Sequence, residues 1–309
     1  MSAYLEKDLI TVYVTNKCNL SCIYCDRERL DKQKRESELS FDSLQNIMSA
    51  ARQEGYSRIK FSSEWGEPLI REDLEDLISV ASKLHFEDIS LSTNGTMLMK
   101  RVESLRSAGL HRLCASLDTL DSGIYKQITG RDMFEQVVTG IETASKVFEG
   151  ALKINMVVLA GVNDREIEAM LRWAFDRHIT LQLIELVGDP PSLFDKYFFD
   201  LDPVVDNLSI EATLFAQDRL DKRTTLITKR GRVEIRQSRK WPDQYYTGER
   251  MVIHPDGEIG FWLYQHTAMR AVDNGVDKIR KGIKEAKSMG INPREVEYAA
   301  KFGIRKCVS

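Results

Sequence analysis

The sequence predicts an α/β protein: a partial (β/α)6 TIM-like barrel over residues 1–190, followed by a C-terminal α+β extension, 191–309, that covers the barrel opening. Three observations predict it. Apolar β-type runs alternate six times with helical patterns between residues 9 and 187. The runs are nearly continuous in apolar residues, as expected of parallel strands wrapped by helices. Candidate chemistry recurs just after successive strands, where barrels place their sites. A chain of 309 residues, 42% hydrophobic and 29% charged, can build the large core this requires.

The elements follow in order. LITVYV (9–14) is the first strand and CNLSCIYC (18–25) the loop behind it; 27–40 is a charge-rich loop. Ser40 caps a helix from Phe41 to about Glu54, and RIKFS (58–62) is the second strand. Leu74, Leu77, Ile78, Ala81 and Leu84 recur at helical spacing within 71–85. DISLST (88–93) is strand three, and a helix over 97–108 stops at Gly109. RLCASLD (112–118), LKINMVVL (152–159) and TLQLIELV (180–187) are strands four to six, separated by helices near 121–127, 133–148 and 164–177. At GDPP (188–191) the rhythm changes. A helix near 203–220 precedes two short β-type runs, TTLIT and RVEIR, then a hairpin, MVIHPDGEIGFW (251–262), turning at Asp256–Gly257. Helices near 274–288 and 293–302 finish the chain.

Composition narrows the function. A net charge of −3 gives no global case for nucleic-acid binding. No apolar run approaches the ~20 residues of a membrane span, and MSAYLEKDL lacks a signal-peptide core. Five cysteines, three of them clustered, make no disulfide framework, so a reducing cytoplasm is the expected setting. Cys114 and Cys307 look incidental, and the five histidines are scattered, with His254 and His266 flanking the hairpin. There is no P-loop or dinucleotide fingerprint.

Cys18, Cys22 and Cys25 fall within eight positions, so three thiolates can close around one metal centre. Such ligands suit an iron–sulfur cluster or zinc. On a four-iron cubane, three ligands leave one iron open to a small chelating molecule. A structural zinc knuckle is the alternative; it needs a fourth ligand, and structural zinc sites usually pair two CxxC-like hooks, of which the second is missing here.

This spacing, with the aromatic Tyr24 before the last cysteine, resembles the signature of the radical S-adenosylmethionine (SAM) enzymes. The resemblance implies one [4Fe–4S] cluster on Cys18, Cys22 and Cys25, with SAM on the open iron. It implies SAM contacts from Gly66, Glu67 and Pro68 in GEPLI, Thr93 and Asn94 in STNGT, Ser116 in SLDTLD, and Asn155. Read without it, Pro68 and Asn94–Gly95 mark turns and Ser116 or Asp118 caps a helix. Trp65 stands where the family has glycine, in a loop about two residues longer than the family's. SLDTLDSGIYKQITGRDMFEQVVTGIETA and LKINMVVLAGVNDREI are similar to the GTP 3′,8-cyclase branch of molybdenum-cofactor biosynthesis, across roughly residues 8–187.

That branch implies that Lys153 and Lys60, with Arg58, face an anionic substrate: a nucleotide or nucleotide-sugar first, a peptide second. It also implies a flavodoxin or ferredoxin-type electron donor. Two of its arginine positions fall at Thr11 and Gln182, and the cysteines of its second cluster at Tyr245, Gly248 and Trp262, so a diverged substrate is expected. Phe261, Trp262, Tyr245 and Tyr246 could wall the cavity or fill the core there. The rival reading is a non-catalytic metal-binding protein that kept the fold as a partner-binding module. SAM cleavage separates the two.

Overall fold

A computed structural model describes residues 8–25, 37–186, 191–218, 223–237, 251–260 and 276–288. The strands among them are β1 (Leu9–Tyr13), β2 (Arg58–Ser62), β3 (Asp88–Thr93), β4 (Arg112–Ser116), β5 (Leu152–Val158), β6 (Thr180–Glu185), β7 (Ala212–Asp218), β8 (Arg223–Thr228), β9 (Arg232–Arg236), β10 (Met251–Ile253) and β11 (Ile259–Gly260). They form a single sheet in the order β11-β10-β1-β2-β3-β4-β5-β6-β9-β8-β7. Strands β1 to β6 run parallel in sequence order, with β10 parallel to β1 and β9 parallel to β6. This is the α/β barrel-type fold the sequence predicts.

The helices are α1 (Phe41–Gln53), α2 (Leu74–Lys83), α3 (Leu98–Ser107), α4 (Ser122–Thr129), α5 (Phe134–Val147), α6 (Ile167–Phe175), α7 (Pro191–Tyr197), α8 (Asp202–Glu211) and α9 (Val276–Ser288). Local chemistry sets several ends. The Ser40 hydroxyl accepts from Ser43 N at 3.2 Å at the start of α1, as expected. The Asp121 carboxylate does the same for Ile124 N at 2.8 Å ahead of α4, satisfying one of the unpaired donors of a first turn. Helix α4 stops at Gly130, whose φ of 70° is open to glycine at little cost.

Register explains the two faces of the sheet. Ile10, Val12, Ile59, Phe61, Ile89, Leu91, Ile154 and Met156 are fully buried and belong to the apolar core. Each such side chain taken from water contributes about 1.5–3 kcal/mol. The residues between them, such as Lys60, Ser90, Cys114, Ser116, Lys153 and Asn155, face the other way and are only half-buried. The strands therefore alternate, where near-continuous apolar runs had been expected: the inner face is a polar lumen.

The C-terminal residues depart from expectation in two places. The helix expected over 203–220 ends at Glu211, and 212–218 is strand β7, paired antiparallel with β8. A turn of helix, α7, stands where GDPP marked only a break. The hairpin forms as expected, β10 against β11, with Gly257 at φ 85° in its turn. The expected helix at 293–302 and residues Tyr245, Tyr246, Gly248, Phe261, Trp262, His266 and Cys307 lie outside the described residues.

Candidate cofactor site

The loops after β1, β2, β3 and β4 meet around one cavity of about 210 Å³. Its wall contains Cys18, Cys22 and Cys25, together with Gly66, Glu67, Pro68, Thr93, Asn94 and Ser116. Nine residues singled out from sequence, spread over 99 positions, are thus brought to one place.

The cysteine loop is held from three sides. Ser21 N and Ile23 N donate to Thr129 O and Ile128 O, at 2.9 and 2.8 Å, occupying carbonyls at the end of α4. Asn19 donates through Nδ2 to Thr96 Oγ1 and accepts from Asn94 Nδ2, both at 2.9 Å. Asn94 Nδ2 also lies 3.9 Å from Cys18 Sγ. On the third side the Tyr24 hydroxyl donates to Asp118 Oδ2 at 2.6 Å, while Val157 N donates to Asp118 Oδ1 at 2.8 Å.

The GEP turn serves a different purpose from the simple ligand contact expected of it. A Cβ on Gly66 would sit 2.4 Å from Thr15 O and 2.9 Å from Lys17 O, so only glycine lets this turn lie against the segment that leads into Cys18. Glu67 is fully buried. Its Oε1 accepts from Leu69 N (2.9 Å) and Thr93 Oγ1 (2.6 Å), and its Oε2 from Asn94 N (2.5 Å). The carboxylate therefore ties the second loop to the third. Burial pushes its pKa up to about 7 against the pull of those donors, and burial likewise takes Asp118 up to about 6.

The donor set fits a cluster. Burial pushes the Cys22 thiol well up, and Asp118, Cys25 and Cys18 add to the effect, with the Tyr24 hydroxyl pulling the other way. Thiols so placed become thiolates readily once a cationic centre supplies the compensating charge. Among the described residues no three His, Cys, Asp or Glu side chains converge on one ion; these thiols surround a volume. Ser63 Oγ and Ser92 Oγ are buried on the same wall with no hydrogen-bond partner among the described residues, so a polar cofactor would find hydroxyls to bind.

The remaining expected contacts lie apart. Asn155 is the register partner of Ser116, one strand further round, and its Oδ1 is buried without a partner among the described residues. Lys60 lies on the inner face beside Thr11 and Ser90. Lys153 is not open to an anion in the way expected: its ammonium is in close contact with Glu234 of β9 and lies 3.3 Å from Gln182 Oε1. Arg58 pairs with Asp88 at 3.2 Å at the start of the strands, the end remote from the cavity.

One feature of the wall escaped sequence reasoning. Glu64, in the longer loop before Trp65, lies 3.2 Å from His254 Nδ1 at the end of β10, and both side chains are almost fully buried. The Tyr13 ring meets His254 edge-on at 5.4 Å between centroids. The only signals were the loop's extra length and the position of His254 beside the hairpin.

Comparison with known proteins agrees with this geometry. The family model described as "Radical SAM superfamily" matches residues 12–174. A protein of Archaeoglobus fulgidus named "Probable GTP 3′,8-cyclase" is 40% identical over 231 residues, 73% of this chain and 75% of its own. One of the same name in Methanosarcina acetivorans is 33% identical over 304 residues, 96% of this chain and 85% of its own. Among solved structures, Streptococcus suis SuiB bound to S-adenosylmethionine superposes with a TM-score of 0.66 at 17% identity, over 93% of this chain and 66% of its own. The structure of anSMEcpe with bound AdoMet gives 0.61 at 18%, over 95% and 87%. At that identity these structures speak for the fold.

Proposed function

The chain belongs to the radical SAM superfamily, in the company of its GTP 3′,8-cyclase-like members, and on that premise we propose an enzyme with one [4Fe–4S] cluster that abstracts hydrogen from an anionic substrate, a nucleotide or nucleotide-sugar. When bound, cluster and SAM supply a one-electron cleavage that yields a 5′-deoxyadenosyl radical able to take hydrogen from unactivated carbon. The chain's own residues hold and shield that chemistry. Cys18, Cys22 and Cys25 are the ligands. Glu67 and Asn94 fix the two loops that face the cofactor, the hydroxyls of Ser63, Ser92 and Ser116 supply polar contacts, and Asn155 faces the substrate side.

The observation that carries the reading is the convergence of three thiols with the GEP and STN turns on one cavity. The nucleotide class is supported by the names of the relatives and by the basic side chains on the inner face of the sheet. A flavodoxin or ferredoxin-type protein is the expected electron donor.

Electron paramagnetic resonance tests the reading. Anaerobically reconstituted, dithionite-reduced protein should give a cluster signal that changes on adding SAM, and a Cys22→Ala variant should give neither. A signal indifferent to SAM would overturn the proposal. Substrate class is then tested by which of a panel of nucleotides, nucleotide-sugars and peptides increases 5′-deoxyadenosine formation.

A further inference from the structure

The inner face of the sheet carries a row of polar side chains in continuous register: Ser116 on β4, Asn155 on β5, Gln182 on β6 and Glu234 on β9. Ser116 is at the edge of the cofactor cavity, and the row leads away from it across three strand spacings. At ~4.8 Å each these amount to roughly 14 Å along the sheet. The row ends in charge. Glu234, with only 2% of its side chain exposed, is in close contact with Lys153 Nζ. It also lies 3.3 Å from Arg223 Nη1 and 2.7 Å from Arg232 Nη2. Burial works against its ionisation, yet Lys153, Arg223 and Arg232 hold its pKa down to about 2.

Arg236 shares this face, directly opposite Arg223 across β8 and β9. Four basic side chains from three strands thus gather at one carboxylate among the described residues. Like charges set directly opposite one another in a sheet repel, and an anion between them relieves the repulsion.

We infer that Lys153, Arg223, Arg232 and Arg236 form an anion-binding subsite whose geometry is set by Glu234, and that the substrate is an elongated anion reaching from this subsite along Asn155 and Gln182 to the cofactor. Glu234 is the template. One carboxylate contacted by three cations fixes their side chains in place, and the excess positive charge is left for a phosphate or carboxylate of the ligand. Two of the contacting arginines come from the C-terminal strands β8 and β9, so the extension supplies the charge and the barrel supplies the cofactor. The assignment to the substrate rests on the radical SAM reading above; the anion site itself does not.

Inorganic pyrophosphate is the probe, titrated calorimetrically into the reconstituted holoprotein with SAM present. Wild type should bind it, more weakly as salt rises. Arg223→Gln, Arg232→Gln and Lys153→Gln should each weaken binding by about tenfold, the loss of one charge-assisted contact. Glu234→Gln should tighten it by removing a like charge, whereas Lys126→Gln on the exposed face of α4 should change nothing. The inference is overturned if wild type fails to bind, or if the three cation variants bind as wild type does. Circular dichroism of each variant separates loss of the site from loss of the fold. Pyrophosphate bound as expected in a protein that never cleaves SAM would keep the anion site and sink the proposed function; the converse result would do the opposite.

Discussion

Gly66 lies so close to Thr15 and Lys17 that a single methyl group has nowhere to go. Gly66→Ala should therefore cost about 1–3 kcal/mol of stability, as overpacking usually does. It should also speed iron loss, because the displaced backbone leads straight to Cys18. Urea titration of the apoprotein and release of iron to a chelator check both halves. The cysteine spacing was legible because ligation needs residues close in sequence. The role of Gly66 was legible only as a motif: its reason is a backbone approach from fifty residues earlier. Glu64 and His254 were not legible as a pair, since 190 positions separate them and neither follows a local rule. Lys153 was read as facing an anion, and it does, but the anion is the protein's own Glu234.

At the scale of elements, α4 acts as a platform for the cysteine loop. Its last carbonyls, on Ile128 and Thr129, would otherwise be unpaired, and the loop's amides occupy them. Gly130 permits the chain to leave the helix there, with Ser21 3.4 Å from where a Cβ would stand. Gly130→Ala should cost about 1–2 kcal/mol, the penalty for a side chain at positive φ. It should also raise the rate of cluster loss relative to wild type, followed by the decay of visible absorbance under chelator. Periodicity found the barrel elements because each buries one face against the same core. It failed at 212–218, where the run of β7 can be drawn as a helix until β8 is there to pair with it. Pairing between strands is tertiary information, and a single segment does not contain it.

For the whole molecule, the C-terminal residues extend the sheet at both edges, β10 beyond β1 and β9 beyond β6. Two buried ion pairs join them to the barrel strands and loops, Glu64 to His254 and Lys153 to Glu234. The second gives a pH signature. Glu234 ionises at about 2 when folded, against an ordinary value of 4.5, so as pH falls the unfolded chain takes up the proton first. The stabilisation it brings is complete above pH ~4.5 and is lost as pH falls through about 2, a change on the order of 2–3 kcal/mol. Urea denaturation of wild type and Glu234→Gln should show a gap that is widest above pH ~4.5 and narrows as pH falls.

The central claim is that one cavity holds a cluster and SAM for radical chemistry. Its most direct test is iron and sulfide content followed by 5′-deoxyadenosine formation from SAM and dithionite, on anaerobically reconstituted protein. The account requires about four irons per chain and 5′-deoxyadenosine that disappears in Cys22→Ala. Zinc in place of iron, or a full cluster that leaves SAM intact, would contradict it and favour a metal-binding module. About eight irons would contradict the single cluster alone.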